Sequence, residues 1–173
     1  TTVGGNLSAA SAGAVTQTGA LTVGGTSSIS ANGQSVTLDN ASNDFTGTVT
    51  ATAGTTSLRD TNALTAVLAT TGSTTLQAGG NLVLSGTVSG ASSNLSTTTT
   101  GTGTTSFGTT TVGGNLSANS AGNVTQTGTL TVGGTSSLSA TGQSITLDNA
   151  SNDFRHRHRN RWHHQPARHE CPD

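Results

Sequence analysis

Short apolar patches separated by polar turn clusters run the length of the chain. They fall at 7, 15, 21–23, 29, 36–38, 45–49, 58, 64–68, 76, 82–84, 88, 95, 107 and 112. Inside and beside the patches apolar and polar residues alternate, as in LTV at 21–23, SVTL at 35–38 and NLVLSGTV at 81–88. A period of two sends alternate side chains to opposite faces and predicts strands with one buried face. The spacers carry Gly-Gly, Asn-Gly, Asp-Asn and Ser-Gly pairs, which are turn formers. No stretch sustains a helical period. ALTAVLA at 63–69 suits either a helix or a strand when taken alone. The pattern predicts an all-β chain of short strands: a sandwich, a barrel or a solenoid.

A long internal repeat decides among these. Residues 110–154 repeat residues 1–45 at an offset of 109, with 39 of 45 positions identical. The differences fall at 10/119, 14/123, 20/129, 29/138, 32/141 and 36/145. A unit of this size can be duplicated without disturbing a fold when each unit stacks on its neighbour, which is solenoid logic. A period of 109 divides into about five coils of roughly 22 residues. Residues 1–154 would then make about seven coils, roughly 34 Å long at strand spacing. Small inward residues suit a narrow core, and Thr, Ser and Asn are suited to hydrogen-bonded ladders of like upon like.

The second copy breaks off after Phe154, where RHRHRNRWHHQPARHECPD replaces the expected TGTVTATAGTTSLRDTNAL. One nucleotide string encodes both. Codons chosen for residues 155–173 and read one nucleotide later give GTVTATAGTTSLRDTNAL, which matches 47–64 at all eighteen positions. A net loss of two nucleotides after the Phe154 codon produces the observed tail. The segment 155–173 therefore reads as a frameshifted, non-native and disordered tail on a solenoid of residues 1–154. It holds every His, the single Cys and Trp, both prolines, the single Glu and five of six arginines.

Composition then narrows the function. Apolar residues make up 29% of the chain and charged residues 8%. Ordinary globular domains carry about half and about a quarter, so a large compact core is not expected. Residues 1–154 contain one Arg and five Asp, and no His, Cys, Trp, Tyr, Pro, Met, Glu or Lys. The near-absence of basic residues argues against binding nucleic-acid phosphates or an anionic membrane surface. No segment is apolar enough to span a bilayer as a helix. No signal peptide opens the chain, since Thr1 already lies in the repeat. The reading is an internal fragment of a longer protein.

The phrases VGGNLS, LTVGGTSSISANGQSVTLDNASNDFTGTV and LQAGGNLVLSGTVSG resemble the central repeats of filamentous-haemagglutinin-like bacterial exoproteins. Autotransporter passenger domains are similar. The resemblance covers 1–154. It implies a right-handed parallel β-helix, secretion or display at the bacterial cell surface, and an adhesive role as a stiff rod or spacer. It implies an outer-membrane secretion partner for the parent protein, and host-cell or surface glycans or proteins as its targets. It transfers no catalytic, cofactor or metal residue. A carbohydrate- or ice-binding solenoid module is the alternative, and a non-functional gene fragment is a third reading.

His156, His158, His163, His164, His169 and Cys171 have metal-ligand chemistry, but the shifted frame accounts for all six, as it does for the Arg-rich stretch around Trp162. LDNASNDF occurs at 38–45 and 147–154. Its Asp39, Asp44, Asp148 and Asp153 offer oxygens to calcium, at a spacing that fits neither an EF-hand nor a calcium-binding β-helix repeat. Turn and cap roles are expected there. The tract TTTTGTGTTSFGTTT at 97–111 suggests a flat Thr array, but its Thr residues are irregularly spaced. Glycan cleavage needs paired carboxylates or a tuned base. With no Glu, His, Lys or Tyr in 1–154, no enzyme, cofactor or metal site is expected.

Overall fold

The structure, a computed structural model, describes residues 1–155. The expected disorder of the tail and the His/Cys cluster at 156–171 lie outside the described residues. The first three coils carry three short strands each. These are β1 Thr2–Val3, β2 Leu7–Ala10 and β3 Val15–Thr16; β4 Thr22–Val23, β5 Ser27–Ala31 and β6 Val36–Leu38; and β7 Asp44–Phe45, β8 Val49–Ala53 and β9 Thr56–Asp60. The next coils carry two strands: β10 Leu64–Thr70 with β11 Thr74–Ala78, β12 Leu82–Val88 with β13 Leu95–Thr99, and β14 Thr105–Val112 with β15 Leu116–Asn119. Then follow β16 Val124–Gln126, β17 Leu130–Val132, β18 Ser136–Ser139 and β19 Asp153–Phe154.

Each strand pairs in parallel with strands one coil away, so the molecule is a β-solenoid of about 8 turns. Three sheets run along it: β1-β4-β7; β2-β5-β8-β10-β12-β14-β17-β19, with β16 beside β14; and β3-β6-β9-β11-β13-β15-β18. Such crossovers between parallel strands of one sheet are right-handed in nearly all folds. At about 4.8 Å per coil the rod is roughly 38 Å long.

Alternation places the core as expected. In β10, Leu64, Ala66, Leu68 and Thr70 point inward and Thr65, Val67 and Ala69 outward. The ambiguous ALTAVLA is thus a strand. Its Ala and Leu favour helix, but pairing with β8 on one side and β12 on the other satisfies its backbone along the strand. Inward rows mix Leu, Val and Ala with Thr, and Phe45 and Phe107 are the largest fully buried side chains. Gly86, with φ of 106°, sits where the β12–β14 register slips. Only glycine takes that φ cheaply, and a Cβ there would collide with the Leu68 carbonyl oxygen.

Register corrects the expected coil. Leu7 pairs with Ser27 and Val15 with Val36, advances of 20 and 21 residues. Val49 pairs with Ala66 and Thr56 with Thr74, advances of only 17 and 18. Gly86 pairs with Thr110, an advance of 24. The short coils arise because the β1-β4-β7 sheet ends at β7, and the chain turns through 61–63 straight into β10. The super-repeat is therefore not a whole number of coils. β2 and its copy β15 have the same repeat position but lie in different sheets, as do β1 and the matching end of β14. The second copy is turned about the axis by one face relative to the first.

Candidate functional site

The most elaborate polar arrangement is a corner clamp between successive coils. Asn43, fully buried, follows the turn after β6, and Gln17 follows β3 one coil earlier. Their amides pair reciprocally: Gln17 Nε2 donates to Asn43 Oδ1 at 2.7 Å, and Asn43 Nδ2 donates to Gln17 Oε1 at 2.8 Å. Asn43 Oδ1 also accepts the Leu21 amide at 2.9 Å, and Asn43 Nδ2 donates to the Leu38 carbonyl at 3.0 Å. The second copy rebuilds the clamp. Gln126 Nε2 donates to Asn152 Oδ1 at 2.9 Å, Asn152 Nδ2 donates to Gln126 Oε1 at 2.8 Å, and the Leu130 amide donates to Asn152 Oδ1 at 2.9 Å. Chemically this arrangement closes backbone groups at a corner.

The clamp gives LDNASNDF its structural content. Asn40 Oδ1 accepts the Ser42 amide and Asn149 Oδ1 the Ser151 amide, both at 2.9 Å, which are Asx turns. Asp39 accepts the Ser57 hydroxyl at 3.1 Å, and Asp153 accepts Arg155 Nε at 3.3 Å on the exposed surface. Asp44 is half-buried at the head of β7, and Asp148 lies in the second turn. Among the described residues no three His, Cys, Asp or Glu side chains are grouped to hold a metal. Among the described residues the buried carboxylate is Asp60, which accepts the Asn62 amide at 2.8 Å and the Phe45 amide at 3.0 Å. Burial pushes its pKa up, the two amides pull it back, and the Asp44 charge pushes it up further. Beside it a shallow polar recess is lined by Arg59, Gln77 and Thr98, which stand in register on β9, β11 and β13.

The Thr tract at 97–111 is divided between inside and outside. Thr97, Thr99, Thr105 and Thr110 are buried. Thr99 and Thr105 meet Ser120 at 3.3 and 3.1 Å, and Thr99 Oγ1 donates to the Gly103 carbonyl at 2.6 Å. A different hydroxyl row is regular: Thr16, Thr37, Ser57, Thr75, Ser96, Ser117 and Ser137 are register partners on successive coils. Sequence reasoning missed this row and the Gln half of the clamp. Gln17 and Gln126 did recur at a fixed 26 residues before Asn43 and Asn152, which was the available signal.

The family of repeats of unknown function DUF5649 matches residues 1–52 and 92–157, about two thirds of the chain. The chain belongs to this family. No curated protein and no solved structure matches it. Each DUF5649 match contains one complete amide clamp. The unmatched segment 53–91 contains most of the short, two-stranded coils.

Proposed function

We propose that this chain is a stiff, non-catalytic rod segment of a large secreted or surface-displayed bacterial adhesin. The observation that carries the rod reading is unbroken parallel pairing from β2 to β19 along one sheet. Parallel strands buried on one face resist bending along the stack because each coil is hydrogen-bonded to both neighbours. The outer faces carry small polar side chains and few charges, which suits a spacer. Adhesion, secretion and an outer-membrane partner rest on the resemblance of VGGNLS and LTVGGTSSISANGQSVTLDNASNDF to filamentous-haemagglutinin-like repeats. Among the described residues no helix is long and apolar enough to cross a membrane.

A second reading has one specific observation behind it. The seven-member hydroxyl row would present Ser and Thr at about strand spacing to a glycan or to ice. The neighbouring outward row on that sheet runs Arg59, Gln77, Thr98, Asn119 and Ser139 and does not repeat the pattern, which favours the spacer. Small-angle scattering tests the rod: an elongated particle of roughly 38 Å is expected. Glycan-array and ice-recrystallisation assays on the same protein should be blank. A specific hit would replace the spacer with a binding module. The frameshift origin of 155–173 belongs to the same proposal. Genomic resequencing should restore the repeat when two nucleotides are added after the Phe154 codon.

A further inference from the structure

The solenoid's first end is open. Among the described residues, strands β1, β2 and β3 pair only with the coil that follows them, and nothing pairs with their outer edges. A recess of about 320 Å³ opens there, with Leu7, Ala9, Val15, Leu21 and Ile29 in its wall. The duplication supplies what an isolated end cannot, because the same strands occur again with both edges covered. Val3, Leu7, Ala9 and Val15 are only partly buried. Their copies Val112, Leu116, Ala118 and Val124 are 0%, 1%, 2% and 0% exposed. Between 2 and 16 the copies differ only at 10 and 14, and both positions are exposed in both copies.

What covers the second copy is the coil ahead of it. Val112 pairs with Val88, Leu116 with Leu95, Ala118 with Thr97 and Val124 with Thr105. Gly113 and Gly114 donate their amides to the Val88 and Ser93 carbonyls at 2.8 and 2.9 Å. The Asn115 amide donates to Asn94 Oδ1 at 2.8 Å. The match to DUF5649 over the second copy begins at residue 92, so most of this covering coil belongs to the same family unit.

The glycines carry an independent mark of this contact. A Cβ at Gly114 would lie 2.6 Å from Asn94 Oδ1 and 2.7 Å from the Ser93 carbonyl oxygen, and one at Gly113 would overlap the Gly90 carbonyl. Glycine is required there by the preceding coil. At Gly4 and Gly5 a Cβ would meet nothing within 4 Å, yet the residues are still glycine. The first end keeps the clearance for a backbone that is not beside it.

We propose that the first end of the solenoid is a docking surface for one coil of the sequence found at 86–109. This coil would pair in parallel with β1, β2 and β3 and set Val, Leu and Thr over Val3, Leu7 and Val15. The proposal rests on the fold and the duplication, and not on the rod or adhesin reading. The test fuses a second copy of residues 86–109 directly ahead of Thr1 in the full chain and follows amide hydrogen exchange. Gly4 and Gly5, fast in the parent chain, should slow by about tenfold or more, towards the protection of Gly113 and Gly114. A fusion carrying Gly4→Ala and Gly5→Ala should lose that protection. The same pair of substitutions without the fusion should leave exchange in the rest of the rod unchanged, which shows that the variant folds. Unprotected Gly4 and Gly5 in the fusion would overturn the proposal. So would equal protection by a fused 86–109 whose residue order is scrambled. Protection of Gly4 and Gly5 in the parent chain that grows with concentration would instead assign the surface to the far end of a second copy.

Discussion

Replacing Asn43 by Ala should cost far more than replacing its copy, Asn152. Asn43 is fully buried and makes four hydrogen bonds of 2.7–3.0 Å. Alanine would orphan the Leu21 amide, on a residue 9% exposed, and would take the second donor from the buried Leu38 carbonyl, which keeps its ladder bond to β9. A buried group left unpaired costs about 1–3 kcal/mol. Gln17 is half-buried and turns to water at little cost. The orphaned amide, the lost second bond to the carbonyl and the small cavity together give about 2–4 kcal/mol for Asn43→Ala. Asn152 makes the same contacts, but it is only half-buried and its bond to the Leu147 carbonyl is 3.3 Å. Water can replace much of what is lost, so Asn152→Ala should cost about 1–2 kcal/mol. Urea denaturation followed by circular dichroism measures both. Exchange at the Leu21 and Leu130 amides localises the damage, since stacked repeats need not unfold in one step. Equal costs for the two variants, or less than about 0.5 kcal/mol for Asn43→Ala, would refute the burial argument.

Other consequences are more local. Among the described residues Thr97 Oγ1 and Thr56 Oγ1 are buried without a hydrogen-bond partner, so Thr97→Val should raise the urea midpoint, by about 1 kcal/mol in stability. A fall in the midpoint would show that the hydroxyl is satisfied. Asp60 has a pKa raised by burial, so the folded state holds its proton more tightly than the unfolded chain. Its contribution is fully present below the ordinary aspartate pKa and is lost as pH rises through the raised value. A stability–pH curve should therefore decline across that window, and Asp60→Asn should flatten the decline. Gly25→Ala should destabilise, because a Cβ would lie 2.8 Å from the Gly5 carbonyl carbon, whereas Gly5→Ala, in open space, should be neutral or slightly stabilising. Equal thermal midpoints for the two glycine variants would count against close coil stacking.

Much of the fold was legible because the physics that sets it is local. Alternation in SVTL and NLVLSGTV marked β6 and β12, and the duplication required stacking. Coil length was not legible. It depends on which residues pair across a coil, and the loss of one short strand at 61–63 changes it by several residues without disturbing the alternation. Helix propensity misleads at ALTAVLA because sheet partners on both sides outweigh it. LDNASNDF was visible as a turn, but the role of Asn43 was not, because Gln17 lies a coil away in sequence. The Thr tract looked like one surface, yet alternation alone sends Thr97 and Thr99 inward and Thr98 outward. The regular hydroxyl row escaped notice because its members are scattered among unlike neighbours and are aligned only by register.

The central claim is that short coils in the middle of the solenoid turn the second copy by one face. Cross-linking tests it directly. Thr50 and Val67 are register partners with outward side chains. Neighbouring strands lie about 4.8 Å apart, within the range of about 4.4–6.8 Å between Cα atoms that a disulfide spans. In a Cys171→Ser background, Thr50→Cys with Val67→Cys should cross-link readily under mild oxidation. Thr50→Cys with Gly72→Cys, the pair that a uniform coil of about 22 residues would align, should not. The reverse result would restore the uniform coil and contradict the rotation of the two copies.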